Sequence, residues 1–245
     1  MRAPLLTLAL LAGFSLPPAP ALAGSCERTN LQQRKVVLCT MDLDRQTVRT
    51  YWKAPSGEAY GSLSDIGRKA QPQPGRMIFA MNAGMYHSDL SPVGLYIENG
   101  AVLKGPNLAR GPGNFHMLPN GVFYVARRRA GVLEARAFVR AGLRPDYASQ
   151  SGPMLVIGGR LHPRINGGGT SAKIRNGVGV RGSMAYFIVT DEPVTFTEFA
   201  RMFRDDLKAP NALYLDGSIS SIYAPSVGRA DSFMPVGPII AGFDR

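Results

Sequence analysis

Four short polar segments in this chain stand beside apolar runs, where a rigid scaffold aims side chains best. Met81-Asn82-Ala83-Gly84-Met85-Tyr86-His87 leaves an apolar run through small residues, and Gln150-Ser151-Gly152-Pro153 leads into another. Arg175-Asn176-Gly177 sits in a glycine-rich stretch, and Asp216-Gly217-Ser218 follows the apolar Leu213-Tyr214-Leu215. A carboxylate such as Asp216 can act as acid, base or nucleophile. A guanidinium such as Arg175 can hold an anion through two parallel hydrogen bonds. The amides of Asn82 and Asn176 and the hydroxyls of Ser151, Ser218 and Ser221 supply uncharged donors and acceptors, with Gly152 allowing close approach beside Ser151. The plain reading stands beside each of these. An Asp-Gly after a strand is most often a turn, and an arginine in a glycine-rich loop is most often solvated.

Other chemistry fits less well. Gly177-Val178-Gly179-Val180-Arg181-Gly182 has dinucleotide-loop spacing, but the run that follows reads as a strand where that motif needs a helix. Gly167-Gly168-Gly169-Thr170-Ser171-Ala172-Lys173 lacks the lysine-hydroxyl ending of a phosphate loop. No Gly-x-Ser-x-Gly elbow occurs. The three histidines, His87, His116 and His162, show no metal-ligand spacing. His87 and His116 remain acid/base candidates because imidazole titrates near neutral pH. The sequence implies no cofactor and no metal ligands, and leaves a bound divalent ion open.

The elements that must position these groups are mostly strands. Lys35 to Leu43 and Thr47 to Trp52 read as a hairpin around Asp44-Arg45-Gln46. Met77 to Met81, Gly94 to Glu98, Gly121 to Ala126, Val132 to Val139, Met154 to Ile157, Ser183 to Thr190 and Ala212 to Leu215 read as further strands. Asn99-Gly100 and Asn120-Gly121 mark turns. One helix is expected near 196–208. Thr195-Phe196-Thr197-Glu198 is a capping-box pattern, Phe196, Phe199, Ala200, Phe203 and Leu207 recur at helical spacing, and Pro210 ends it. The class is therefore α+β, with twisted mixed sheets and few helices.

The N-terminus predicts export. Arg2, the apolar stretch Leu5 to Leu16, the prolines at 17, 18 and 20, and Ala21-Leu22-Ala23 make a signal peptide cleaved after Ala23. The stretch is well short of the ~20 residues that span a bilayer. Residues 24 to 245 then form a single domain in the periplasm or outside the cell. In that oxidising setting Cys26 and Cys39 are expected to pair, stapling the mature N-terminus to the first strand for ~3 kcal/mol. The formal charge is +11, which favours anionic partners. The one dense run, Arg127-Arg128-Arg129, reads as an exposed turn, and no basic helix face or aromatic-basic sheet suggests nucleic acid. Neither nucleic acid nor stable membrane insertion is expected.

Taken in order, the four polar segments resemble the phosphodiester glycosidase (uncovering-enzyme) family from about Met77 to Tyr223. The family's Asn-Gly/Ala-Gly-Phe-Phe is similar to Asn82 to Tyr86, with Met85-Tyr86 in place of the aromatic pair. Its Ser-Gly-Pro matches Ser151 to Pro153. Its Arg-Thr-Ala-x-Gly matches Arg175 to Gly179 with Asn176 for Thr, and its Leu-Asp-Gly-Gly-Gly-Ser matches Leu215 to Ser220 with Ser218 and Ile219 for two glycines. The resemblance implies an enzyme that cleaves a glycosidic bond to phosphate, with a sugar phosphate or related anionic glycan as substrate. Glycoside hydrolysis usually places two carboxyl groups across the bond. Asp216 is the first expected here, and Asp191 or Glu192, one strand-helix-strand unit earlier, the second. Arg175 would hold the anion. Asn82, Asn176, Ser151, Gly152, Ser218, Ser221, His87 and His116 would surround the substrate. A non-catalytic polysaccharide-binding protein on the same scaffold and a metal-dependent phosphodiesterase are the alternatives.

Overall fold

In the computed structural model the apolar runs become three antiparallel sheets. The structure describes residues 24–69, 75–216, 219–232 and 234–245. The expected signal peptide and Ser218 lie outside the described residues. The seven-stranded sheet runs in the order Ser25–Leu31, Arg34–Asp42, Met184–Thr190, Asn176–Arg181, Asn211–Tyr214, Met154–Ile157, Arg160–Leu161. One five-stranded sheet runs Arg229–Ala230, Ile222–Ala224, Met77–Asn82, Ile239–Phe243, Thr47–Tyr51. The other runs Ala101–Lys104, Tyr96–Glu98, Tyr147–Ser151, Gly121–Ala126, Arg129–Glu134. The strand-rich α+β class is as expected, although the pairings among described strands are antiparallel where mixed sheets were anticipated.

The sheets share one apolar centre, to which each contributes a phenylalanine. Phe187 lies 4.8 Å from Phe79 and 5.6 Å from Phe123, centroid to centroid, and all three are fully buried. Tilted and edge-on ring pairs of this kind add about 0.5–1.5 kcal/mol each beyond burial. They also fix the angles between sheets, and thereby the place where the strand ends meet.

Three local expectations are corrected. The strands Arg34–Asp42 and Thr47–Tyr51 form, but they belong to different sheets, so the turn between them is a crossover and not a hairpin. Arg34–Asp42 instead pairs with Ser25–Leu31, and the Cys26–Cys39 disulfide joins directly opposed residues of that ladder. The expected strand Val132 to Val139 breaks at Glu134, whose carboxylate accepts from the backbone N–H of Arg136 and Ala137 and starts the helix Ala135–Arg140. A capping carboxylate redirects the chain more strongly than β propensity extends it. Leu63–Lys69 is a short helix that the apolar pattern did not announce. Arg127-Arg128-Arg129 does turn a hairpin, with Arg127 in the left-handed region.

The predicted amphipathic helix divides into an α segment, Phe196–Arg201, and a π turn, Met202–Asp206. Phe199 and Phe203 lie against the strand Asn176–Arg181 where it carries Gly177 and Gly179. A Cβ at Gly177 would stand 3.0 Å from the Phe199 ring, and one at Gly179 would stand 2.6 Å from Phe203. The glycine spacing that mimics a dinucleotide loop is thus a packing surface for two phenylalanines. Among the described residues no helix is long and apolar enough to cross a membrane.

The capping box forms in full. Thr195 Oγ1 accepts from the Glu198 N–H, and Glu198 Oε2 accepts from the Thr195 N–H at 2.8 Å. The Thr195 backbone N–H and then the Arg34 guanidinium hold the Glu198 carboxyl at about 2, against an ordinary 4.5. A depressed folded-state pKa means that this stabilisation is fully present above 4.5 and is lost as pH falls through about 2. Glu198→Gln is expected to lower the melting temperature at neutral pH and to flatten its decline between pH 4.5 and 2. Melting curves across that window check it, and an unchanged acid limb would contradict it.

Candidate functional site

The four sequence segments converge where the three sheets meet. Asn82 closes the strand Met77–Asn82 of one five-stranded sheet, and Ser151 closes Tyr147–Ser151 of the other. Asn176 opens Asn176–Arg181 in the seven-stranded sheet, with Asp216 two residues beyond Asn211–Tyr214. Asn176 is the hub. Its Nδ2 donates to both the backbone oxygen and Oδ1 of Asn82 at 3.0 Å, and its Oδ1 accepts from the Asp216 N–H at 2.8 Å. Asn82 Oδ1 also accepts from the Ser221 N–H at 2.9 Å, leaving its Nδ2 buried without an acceptor among the described residues. Ser151 Oγ donates to the Leu215 carbonyl, and Ser220 Oγ to the Asp216 carbonyl.

This geometry revises the roles of the asparagines. Asn82, Asn176 and Ser151 are 0% exposed and Ser221 only 5%. Asn176, Ser151, Asn82 Oδ1 and the Ser221 N–H are engaged with backbone and with one another, so these residues hold the Asp216 segment from behind. Gly152 is likewise buried, behind Ser151.

Asp216 is held by this network and borders a cavity. Its side chain lines a cavity of about 480 Å³ together with Met85, Tyr86, His87, Leu90 and Pro235, among others. The walls are largely apolar, with Tyr86, His87, Ser88 and Asp216 as the polar members. Burial first, and then the Asp216 charge, raise the Tyr86 phenol above its ordinary value, so it stays protonated. A mostly apolar cavity with a few convergent polar groups is the usual form of a small-molecule site.

The second expected carboxylate is not in this cavity. Thr190 and Tyr214 end parallel strands on either side of Asn176–Arg181, so Asp191 and Asp216 do leave the same sheet edge as the strand order suggested. Asp191, however, is held by Arg28 and Arg229, and Glu192 lies 3.9 Å from Arg34. Neither lines the Asp216 cavity. Strand order fixed the edge, but the surrounding arginines turn these side chains away from it.

Arg175 also serves elsewhere. It is 1% exposed, its Nε donates to the Val194 carbonyl and its Nη2 to the Ser171 carbonyl, each at 2.8 Å. The guanidinium lies 3.7 Å over the Phe196 ring, and burial pushes its pKa below the ordinary value. It clamps the glycine-rich 167–173 segment to the helix start and is not among the residues lining the cavity. Arg175→Ala is expected to cost about 2–4 kcal/mol through lost packing, cation–π contact and unsatisfied carbonyls. Arg175→Lys recovers only part, because an ammonium cannot reproduce the fork. Denaturant unfolding checks this; unchanged stability with a raised KM would instead make Arg175 an anion ligand.

His116 is tied through Nδ1 to the Ala109 carbonyl and lies away from the cavity lining. His87 is at the cavity, with an exposed side chain. Among the described residues no three of His, Cys, Asp and Glu gather as a metal site. Sequence reasoning gave no role to Tyr86, a partly buried residue of the cavity wall. The signal was present, since Tyr86 falls inside the first motif, four residues after Asn82.

Comparison with known proteins agrees with this geometry. YigE of Escherichia coli K12, described as uncharacterized, is 40% identical over 189 residues, which cover 75% of this chain and 72% of YigE. The catalytic domain of zebrafish N-acetylglucosamine-1-phosphodiester α-N-acetylglucosaminidase, solved in a form auto-inhibited by its pro-peptide, is similar in fold. Its TM-score is 0.61 at 13% identity, covering 86% of this chain and 77% of that one. A Burkholderia pseudomallei protein described as exported aligns with a TM-score of 0.53 at 11% identity, over 86% of this chain and 74% of its own. Residues 75–235, which contain every segment of the Asn82–Asn176–Asp216 network, match the phosphodiester glycosidase family, and this chain belongs to it.

Proposed function

We propose that this protein is an exported glycosidase that hydrolyses sugar phosphodiesters or related anionic envelope glycans, with Asp216 as the reacting carboxylate. The observation that carries this reading is the placement of Asp216. Its backbone is pinned by Asn176, and its side chain opens into a cavity with apolar walls. Fixing the backbone of a reacting group in this way is how a scaffold supplies near-attack geometry. A phosphate leaves with little protonation, so one carboxylate that activates water or attacks the anomeric carbon goes further here than with an alkoxide leaving group. The similar zebrafish enzyme is named for an N-acetylglucosamine-1-phosphodiester, which makes that compound class the first to try. The signal-peptide pattern and the Cys26–Cys39 bridge support action in the periplasm or outside the cell, after cleavage behind Ala23.

A second reading has its own support. Asp216 is the only carboxylate lining its cavity among the described residues, which suits a non-catalytic binder of anionic polysaccharide on the same scaffold. Incubating the purified protein with a panel of sugar-1-phosphodiesters and cell-wall glycans separates the two. Release of free sugar and phosphomonoester supports the glycosidase; binding without turnover on every member supports the binder.

A further inference from the structure

The Asp216 cavity has a phenol hydroxyl on a largely apolar wall. Tyr86 supplies it, adding a hydrogen-bond donor beside Met85, Leu90 and Pro235. The residue is held firmly. Val93 N–H donates to the Met85 carbonyl and His87 N–H to the Ser91 carbonyl, each at 2.9 Å, closing a tight loop around it. Gly237 gives the ring its room, since a Cβ there would stand 2.6 Å from Tyr86 Cγ. The hydroxyl donates a long hydrogen bond, 3.4 Å, to the Pro235 carbonyl, which a substrate oxygen can replace, and the Gly237 backbone N–H also acts on the phenol oxygen. Besides Asp216, the other polar residues of the cavity, His87 and Ser88, stand exposed, whereas Tyr86 is partly buried.

Resting on the glycosidase reading of this site, we propose that Tyr86 is a catalytic residue whose hydroxyl donates a hydrogen bond to the departing oxygen while Asp216 serves the attacking side. In direct attack by water, the water oxygen bonds to the anomeric carbon and its proton passes to Asp216. The bond from that carbon to the phosphate oxygen breaks, and its electron pair goes to the phosphate. The phosphate oxygen accepts the hydrogen bond from Tyr86, which keeps its proton. A neutral phenol offers this stabilisation without bringing a second negative charge beside Asp216 and the phosphate.

The test compares wild type, Tyr86→Phe and Gly237→Ala on a sugar-1-phosphodiester and on the 2,4-dinitrophenyl glycoside of the same sugar, whose leaving group needs less help. Tyr86→Phe removes only the hydroxyl and keeps the ring, so the variant is expected to fold, and its melting curve verifies that. On the phosphodiester, kcat is expected to fall about 10²-fold with KM within about 3-fold. On the dinitrophenyl glycoside the loss is expected to shrink to less than about 10-fold. Gly237→Ala, which displaces the ring, is expected to lower kcat on the phosphodiester in the same direction. An unchanged kcat in Tyr86→Phe, or equal losses on both substrates, overturns the role of Tyr86. If Asp216→Asn is inactive while Tyr86→Phe is fully active, only this inference fails; if wild type turns over neither substrate, the reading beneath it fails.

Discussion

Asp216→Asn is expected to lower kcat on a sugar-1-phosphodiester by about 10³-fold or more while leaving the fold in place. The substitution is nearly isosteric and removes the charge. The backbone bond from the Asp216 N–H to Asn176 Oδ1 and the bond from Ser220 to the Asp216 carbonyl do not involve the carboxylate, so both survive. The backbone placement of residue 216 should therefore persist in the variant. An amide can neither attack the anomeric carbon nor take a proton from water at neutral pH. The loss should thus appear in kcat, with KM nearly constant, because the interaction is made in the transition state. Steady-state kinetics with a parallel melting curve checks this. Retention of kcat within about tenfold would remove Asp216 from the chemistry.

Asn176→Ala is expected to damage stability and activity together. Asn176 is fully buried and its amide makes three hydrogen bonds, two as donor to Asn82 and one as acceptor from the Asp216 N–H. Truncation leaves buried partners unsatisfied, at about 1–3 kcal/mol apiece before relaxation, so a total near 3 kcal/mol is expected. It also unties Asp216 from the end of the Met77–Asn82 strand. A shift of about 1 Å at a reacting group is enough for roughly 10²-fold in rate. The activity loss should persist at temperatures where the variant is still folded, which denaturant unfolding and kinetics at low temperature separate. Asn176→Asp keeps the acceptor for Asp216 and loses the donor to Asn82, so its backbone register should be the better preserved of the two. A stable and fully active Asn176→Ala would show that the network is incidental.

Much of this arrangement was legible in the residues. The four polar segments do meet, because each follows or precedes an apolar strand and strand ends gather where sheets meet. The capping box at Thr195 and Glu198 reads directly, since its contacts are three residues apart. What failed was environment. Arg175 has the right chemistry for an anion, yet Phe196, twenty-one positions on, offers a ring that its guanidinium covers. Asp191 leaves the expected sheet edge, but Arg28 and Arg229, far away in sequence, claim its carboxylate. Gly177 and Gly179 imitate a cofactor loop because the need for close approach is the same, whether to a pyrophosphate or to Phe199 and Phe203. The cavity itself is built from loops, with Leu90, Ile219, Met234 and Pro235 brought together by sheet packing that no local pattern encodes. Tyr86 was within a recognised motif, but its importance comes from Gly237 and Asp216, both more than a hundred residues later.

A structure of the protein soaked with a sugar-1-phosphate tests the central claim most directly. The sugar is expected in the cavity lined by Tyr86, His87 and Asp216, with its anomeric carbon within about 3.5 Å of an Asp216 carboxylate oxygen or of a water held by it. Asn82, Asn176 and Ser151 should stay buried behind that carboxylate without touching the ligand. A sugar phosphate bound at Asp191 or Arg175, with the Asp216 cavity empty, would contradict the assignment.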